Sequence, residues 1–590
     1  MENIKKGFIK DFISKKLVKP TPEEIEAVQV FSKQLVEDYN YPIKNIQTRP
    51  QFRVRARPSD TKKEYPVEIA VFKDDKKLED DCYIIVECKR KSKKDGISQL
   101  KSYLRFSSAY LGVWFNGEER VFLRKIERSG RVEFEKIPNI PIYKQRIEDV
   151  GRFKRKDLKP THNLKPTFKA IRNHLAANTV GVTRDEVLAQ QLINLIFCKI
   201  YDERFTEPER VLTFRAGIDE SVKEVRERIL KLFESVKRKY KEVLDAEDYI
   251  SLDANSIAYV VGELQNYCLI EAERDTISDA FELFIGRALK GGQGQFFTPR
   301  NVIKMMVDIL DPTDEDLIID PACGSGGFLV ETLRYLWTKL DIEAKKYGWS
   351  KNNLYEEKME VAINKIRGID KDYFLAKVAK AYMAIVGDGK SGIVCEDSLE
   401  NPNNWKSNTT QKIDLNKFSI LLTNPPFGSK IPVRGEEKLK QYDLCHKWKF
   451  NKETEEYVKG KVKDKEAPQI LFIERSLQLL KNGGKMAIVV PDGILGNDTL
   501  SYMRSWLQFK GRILAIVDLP IETFMPNTST KTSILIFQKL EKEKIPKNYE
   551  IFMSIAEDCG HDRRGNPTNS DDLLKIPNLF KNWLKKKKHD

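Results

Sequence analysis

Asp316-Leu317-Ile318-Ile319-Asp320-Pro321-Ala322-Cys323-Gly324-Ser325-Gly326-Gly327-Phe328-Leu329 sets the reading of this chain. An apolar run ends in an acid, a glycine-rich turn follows, and a second apolar run begins. That order predicts a strand, a tight loop and a helix. In open α/β sheets ligands lie at the carboxyl ends of strands, where glycines let the backbone come close. The glycine spacing does not fit Gly-x-Gly-x-x-Gly, so the loop is not that of a dinucleotide fold.

Downstream, Phe418-Ser419-Ile420-Leu421-Leu422-Thr423 reads as a buried strand that runs into Asn424-Pro425-Pro426-Phe427. The prolines fix φ and cannot donate hydrogen bonds. The tetrapeptide is therefore a stiff loop holding one amide, two carbonyls and one ring. That set suits a flat heterocycle with an exocyclic amine. The Asn424 side-chain oxygen and the Pro425 carbonyl accept the two amine hydrogens, and the Phe427 ring stacks on the base. From about residue 291 onward strands alternate with helices, which predicts a largely parallel sheet covered on both faces. Residues from about 165 to 290 carry helical apolar periodicity, as in Val187-Leu188-Ala189-Gln190-Gln191-Leu192-Ile193.

The Asp320-Pro321-Ala322-Cys323-Gly324-Ser325-Gly326-Gly327 run resembles the S-adenosylmethionine loop of DNA amino-methyltransferases. Gly294-Gln295-Phe296-Phe297-Thr298-Pro299-Arg300, just before it, resembles the segment that packs on the methionine end of that cofactor. With Asn424-Pro425-Pro426-Phe427 these motifs follow the order of γ-type adenine-N6 DNA methyltransferases. The resemblance covers roughly residues 165 to 565 and is greatest to modification subunits of Type I restriction systems and their fused, Type IIG/IIB-like relatives. It implies an α/β, Rossmann-like methyltransferase sheet with a helical domain before it, and S-adenosylmethionine as cofactor. It also implies site roles. Phe297, Thr298, Pro299, Ala322, Cys323, Gly324, Ser325 and Gly326 would line the cofactor, with Asn424 between cofactor and base. Asp320 would hold the loop or the methionine amine. Asp370, at the end of a second strand, would meet the ribose diol. Asp397 matches the family's adenine-contacting acid. The amine-binding geometry suits cytosine N4 as well, and adenine is favoured by the resemblance alone. RNA or glutamine methylation uses related loops; the nuclease-like neighbour points to DNA.

That neighbour is the amino-terminal segment. Tyr83-Ile84-Ile85-Val86-Glu87-Cys88-Lys89 reads as a strand, and residues two apart on a strand share a face. Glu87 and Lys89 therefore project together, with Glu68 expected on a neighbouring strand. Two carboxylates can hold Mg²⁺. Gln99 and Tyr103, four apart on a helix, share a face. The set resembles the PD-(D/E)xK nuclease core at the amino terminus of Type I restriction subunits. Glu68 stands in place of Asp and one residue late in Pro66-Val67-Glu68. The implied catalytic residues are Glu68, Glu87, Lys89 and Gln99, with Glu68 and Glu87 on the metal.

The chain has 590 residues, 32% of them charged, and a net charge of +15. A basic balance of this size suits a polyanion such as double-stranded DNA. The eight cysteines are scattered without a Cys-x-x-Cys pair, which predicts neither a zinc site nor a disulfide framework and fits a reducing cytoplasm. No signal peptide or membrane span is expected. The expected domains are a nuclease-like domain over 1–150, a linker and helical connector over 151–290, the methyltransferase over 291–565 and a basic tail over 566–590. The residues after Phe427 are taken up by the catalytic sheet, so base readout is expected from a separate specificity subunit, with oligomers of further copies. The sequence reading is a bifunctional restriction–modification subunit. Its alternatives are a methyltransferase with an inactive nuclease-like domain, and a non-catalytic DNA-binding assembly subunit.

Overall fold

A computed structural model describes residues 7–55, 64–91, 93, 95–128, 130–159, 164–179, 185–241, 243–270, 298–386, 392–428, 432–526 and 528–587. They fall into two compact units, one drawn from 1–239 and 247–288 and the other from 240–246 and 289–590.

The first unit is built on six strands: β1 (Ile46–Gln47), β2 (Ile69–Phe72), β3 (Cys82–Cys88), β4 (Leu111–Phe115), β5 (Arg120–Arg128) and β6 (Arg131–Ile137). Their order is β6-β5-β4-β3-β2-β1. Only β3 and β4 run parallel, and helix α2 (Ile97–Arg105) makes the crossover between them. Alternation along the strands divides the apolar residues between two faces. Ile84 and Val86 pack with Phe31 and Leu35 of α1 (Gln29–Glu37). Ala70, Phe72 and Ile85 pack with Leu100, Tyr103 and Leu104 of α2 on the other face. Glu68, expected on a strand beside Glu87, falls between two strands. Glu64–Val67 pairs with Phe52–Arg55, and Ile69–Phe72 joins the main sheet.

Among the described residues this unit also holds helices α3 (Lys165–Asn178), α4 (Asp185–Phe205), α5 (Val222–Lys239) and α6 (Ala254–Leu264). They are fastened to the sheet by buried polar contacts. Arg120 forms an ion pair with Glu263 of α6, both side chains almost fully buried. Asn139 accepts from Tyr39 Oη at 2.8 Å and donates to the Gly262 carbonyl at 3.1 Å. A Cβ at Gly262 would stand 2.8 Å from the Pro138 carbonyl oxygen, so only glycine allows this approach. The basic stretch read as a linker, Arg152 to Pro160, is anchored by buried Phe153 and Leu158 against Leu212 and Cys268.

The second unit holds an eight-stranded sheet. Its strands are β7 (Ile318–Asp320), β8 (Ile366–Asp370), β9 (Ile393–Cys395), β10 (Phe418–Thr423), β11 (Leu480–Pro491), β12 (Gly511–Asp518), β13 (Thr532–Lys539) and β14 (Phe552–Ile555). The order is β9-β8-β7-β10-β11-β13-β12-β14. All neighbours are parallel except β13, which runs against both β11 and β12. The order reverses direction after β7, and β7 and β10 lie side by side. Such a reversal opens a crevice at the strands' carboxyl ends. Helices α7 (Arg300–Leu310), α8 (Gly327–Tyr347), α9 (Tyr373–Val386), α10 (Pro468–Leu479), α11 (Ser501–Gln508) and α12 (Ile576–Lys587) accompany the sheet. Strand β10 is buried at every position, as a strand covered on both faces must be.

Between β10 and α10 the chain makes an excursion of two small antiparallel ribbons. Val433–Arg434 pairs with Lys465–Glu466, and His446–Asn451 pairs with Glu456–Val462.

Candidate active site

The glycine loop joins β7 to α8 as the sequence predicts, and backbone geometry explains its composition. Gly324 and Gly326 have φ of +53° and +88°, which side chains other than glycine rarely adopt. A Cβ on Gly326 would meet Ala379 of α9 at 3.2 Å, so this glycine serves packing. A Cβ on Gly324 would meet nothing within 4 Å. Gly324 therefore edges an open cradle, and a flat ligand fits against its backbone.

Three acids lie at or just past the carboxyl ends of three adjacent strands. Asp320, ending β7, is almost fully buried and accepts from the Ala322 amide at 3.0 Å. Burial pushes its carboxyl up to about 7, against the pull of hydrogen bonds from Thr423 and Ala322. Asp370, ending β8, accepts from the Gly324 amide at 2.8 Å and the Asp372 amide at 2.9 Å. Burial raises its carboxyl too. Asp370 thus shapes the glycine loop. Asp397, two residues past β9, accepts from the Leu399 amide at 2.9 Å and pairs with Lys438. The residues fit the cofactor that the motif implies: an open cradle at Gly324 with three acids beside it, suited to a diol, an amine and a cationic centre.

Asn424 follows β10 directly. Its Nδ2 donates to Thr298 Oγ1 at 3.0 Å, which joins the Thr298-Pro299 segment to the Asn-Pro-Pro-Phe loop. Its Oδ1 is buried and meets no donor among the described residues. A buried acceptor left without a donor is costly, and such groups mark places where a ligand supplies the partner. Pro425 is buried, while Pro426 and Phe427 are half-buried. The Phe427 ring meets Phe524 edge-on at 6.5 Å. Cys323 is buried, and Ala322 and Ser325 are half-buried in the loop. Phe297 lies outside the described residues.

In the first unit the strand register sets Glu68 beside Glu87, because Ile69 pairs with Val86. Both project on the face covered by α2, where Gln99 donates to Tyr103 Oη. Glu87 is buried and ion-paired with Lys89. Burial pushes Glu87 up to about 7, against its bond to Lys89. Burial likewise raises Glu68, opposed by Arg49 and assisted by Glu23 and Glu24. Arg49 lies between two carboxylates, 2.6 Å from Glu24 and 3.6 Å from Glu68. A pocket of about 300 Å³ opens here, lined by Glu23, Glu24, Arg49, Gln51 and Glu68. Among the described residues no group of three or more His, Cys, Asp or Glu is arranged to hold a metal. Glu68 and Glu87 are two hard oxygen donors beside a lysine, a set that suits Mg²⁺ shared with a phosphate.

Three residues were not singled out in the sequence. Lys438 lies on the excursion and reaches both Asp397 and Glu400. Gln469 Oε1 accepts from the Gly428 amide at 3.3 Å. Arg49 is remote from Glu68 in sequence. No local pattern marks any of them, because each partner comes from a distant segment. All eight cysteines are free. Among the described residues no helix is long and apolar enough to cross a membrane.

The N-6 DNA Methylase family matches residues 272–590, more than half of the chain. The Type I restriction enzyme R protein N terminus family matches residues 22–141. A methylase subunit of the EcoEI Type I restriction enzyme from Escherichia coli is 28% identical over 284 residues, covering 47% of this chain and 49% of that protein. The Type II restriction enzyme and methyltransferase RM.BcgI from Heyndrickxia coagulans is 23% identical, over 53% of this chain and 42% of its own length. The chain thus spans about half the length of the curated relatives it matches. A structure from work on complex assembly and conformational transition of the type I R-M system shares the fold, with a TM-score of 0.50 at 19% identity, covering 72% of this chain and 85% of its own. With the sheet order, the glycine cradle and the Asn424 loop, the matched span gives one conclusion: the chain belongs to the N-6 DNA Methylase family.

Proposed function

We propose that this protein transfers a methyl group from S-adenosylmethionine to adenine N6 in DNA. The observation that supports the reading is Asn424: its Nδ2 is held by Thr298 and its buried Oδ1 meets no donor among the described residues. S-adenosylmethionine supplies an electrophilic methyl on a sulfonium. The chain's work is positioning. Thr298 fixes the amide plane of Asn424, leaving Oδ1 as acceptor. Asn424 Oδ1 and the Pro425 carbonyl take the two amine hydrogens and pull the nitrogen toward sp³, which localises its lone pair. Phe427 stacks on the base, which must leave the duplex to reach it. Asp320, Asp370 and Asp397, with Gly324, hold the cofactor. A specificity subunit supplies sequence readout, and further copies of this chain join the complex.

The assay is transfer of labelled methyl to duplex DNA, followed by digestion to nucleosides. Label is expected in N6-methyladenine. Asn424→Ala should lower transfer by about 10²–10³-fold or more, as loss of a group that stabilises the transition state does, with cofactor affinity near wild type. Normal transfer by the variant, or label on cytosine, overturns the reading.

The proposal extends to the first unit as a Mg²⁺-dependent nuclease domain. Glu68 and Glu87 would hold the ion, which lowers the pKa of a bound water and neutralises the scissile phosphate. Lys89 orients the water or the developing charge, and Gln99 and Tyr103 support it. Lys89→Ala should abolish cleavage of unmethylated DNA and spare methylation. A second reading, modification alone, is favoured by Arg49, whose guanidinium already answers Glu24 and Glu68. If the wild type with its partner subunits never cuts, the second reading stands.

A further inference from the structure

The excursion between β10 and α10 is anchored at the candidate active site and carries an unmatched basic face. It leaves the chain shortly after Phe427 and returns at Ala467, where Gln469 accepts from the Gly428 amide at 3.3 Å. Its longer ribbon, His446–Asn451 with Glu456–Val462, has two unlike faces. The inner face is aromatic. Trp448 stacks on Tyr502 of α11 at 6.2 Å with 16° between the rings. Tyr457 bonds the Ser501 hydroxyl, and Lys459 pairs with Asp443 at 2.6 Å. Ser501 opens α11, which follows the loop leaving the carboxyl end of β11. The ribbon is therefore held against the same edge of the sheet that ends in Asn424.

The outer face is cationic. Lys447, Lys449 and Lys461 are exposed. Lys449 stands directly opposite Val458, which is 53% exposed, with Glu456 on the diagonal. Lys447 lies opposite the bulge at Gly460 and Lys461. Glu453 and Glu455 lie in the turn, and Glu456 opens the second strand opposite Asn451, which sets the end of the basic band. We infer that this ribbon is a DNA-backbone clamp: Lys447, Lys449 and Lys461 bind phosphates of the duplex beside the base that Asn424 receives. Lysines with no ion-pair partner among the described residues, on a ribbon fixed by aromatic packing, complement a polyanion at little ordering cost. Phosphate contacts of this kind set register and carry no sequence information. The inference rests on DNA as the substrate of the Asn424 site.

The test uses the full chain and a fluorescent duplex oligonucleotide titrated over a range of salt. The Lys447→Ala/Lys449→Ala/Lys461→Ala variant should bind about tenfold more weakly at low salt. Its plot of log affinity against log salt should be less steep by about 2–3, the loss expected for three phosphate contacts. The matching Lys→Arg triple should bind as the wild type does, and cofactor affinity should be unchanged in both. Should the alanine triple fail to fold, Lys449→Glu carries the same test. Wild-type affinity and salt slope in a folded alanine variant overturn the inference. So does a variant that binds DNA normally but no longer holds a specificity subunit, since the ribbon would then be a protein contact. Methyl transfer is measured on the same samples. A wild type that binds the duplex through these lysines but does not methylate it even with its specificity subunit and cofactor present would sink the methyltransferase reading and leave the clamp standing.

Discussion

The two units each gather carboxylates, yet they satisfy them differently. In the first unit the acids are answered from within. Arg49 lies against Glu24 and Glu68, Lys89 against Glu87, and Gln99 donates to Tyr103. In the second unit groups are left open. Among the described residues Asn424 Oδ1 meets no donor and a Cβ on Gly324 would meet nothing within 4 Å, while burial pushes Asp320 up to about 7. A site completed by its own side chains is stable without a ligand. A site with a buried orphan acceptor and a bare glycine gains stability when a ligand arrives. The first arrangement is a charge cluster closed by its own cations; the second, on the proposed function, would be completed by an amine and a cofactor.

The largest expected effect breaks the cradle. Gly324→Val places a branched side chain in the open space and at a φ that valine resists. Cofactor binding by calorimetry should fall below detection while the protein stays folded by circular dichroism. Unaltered affinity would mean that the cofactor does not lie there.

Next comes Arg49→Gln, which leaves Glu24 buried without its cation. Breaking a pair of this kind costs about 2–4 kcal/mol of stability. Glu68 has a raised carboxyl pKa. A raised acid contributes stability that is full below its unfolded pKa and is lost as pH rises through the folded one. Removing Arg49 raises it further, so the loss should grow from mildly acidic to alkaline pH. If Arg49 stands where Mg²⁺ would bind, the ion should recover melting temperature in the variant more than in the wild type. Equal insensitivity to Mg²⁺ would leave the cluster as architecture.

Much of this contrast was legible in the sequence. The strand–glycine loop–helix at Asp316 to Leu329 and the Asn-Pro-Pro-Phe turn after β10 are local features, because φ restrictions and apolar runs act over a few residues. Asp370 at the end of β8 was readable for the same reason. The pairing of Glu87 with Lys89, and of Gln99 with Tyr103, followed from strand and helix periodicity. What could not be read depends on distant partners. Arg49 reaches Glu24 and Glu68 only once the sheet has formed. Lys438 finds Asp397 only through the excursion. The ribbon at His446 to Val462 alternates lysine with aromatic residues, but its inner face is defined by Tyr502, far along the chain. The break at Glu68 is likewise set by pairing with Phe52–Arg55 rather than by composition.

A pH test sharpens the second unit's side of the comparison. Asp320 sits near 7, above the ordinary aspartate value. In the free protein its contribution to stability is full below about 4 and is lost as pH rises through about 7. If Asp320 faces a cationic group of the cofactor, binding favours the ionised form. Cofactor affinity should then rise from about pH 6 to about pH 8, by as much as tenfold per unit below the folded pKa, with proton release detectable in buffers of different ionisation enthalpy. Asp320→Asn, which still accepts from the Ala322 amide, should flatten that dependence. A slope that persists in the variant would move the titration to another group.

The smallest effect is expected at Lys438, where the second unit behaves like the first. Asp397 is ion-paired with Lys438, which also lies 3.5 Å from Glu400. The lysine side chain is mostly buried, whereas Asp397 is partly exposed. Lys438 would therefore act as a positioning residue, keeping the Asp397 carboxylate turned toward the cradle while Leu399 holds its other oxygen. Lys438→Met keeps the length and apolar stem of the side chain and removes only the charge. A partly exposed ion pair contributes on the order of 1 kcal/mol, which corresponds to cofactor binding about three- to tenfold weaker. The maximal rate at saturating cofactor should be little changed, so KM for the cofactor should move while kcat does not. If Asp397 merely organises its turn, the variant should lower melting temperature and leave cofactor affinity alone. That result would place cofactor recognition on Asp320 and on Asp370, whose charge neighbours Lys371.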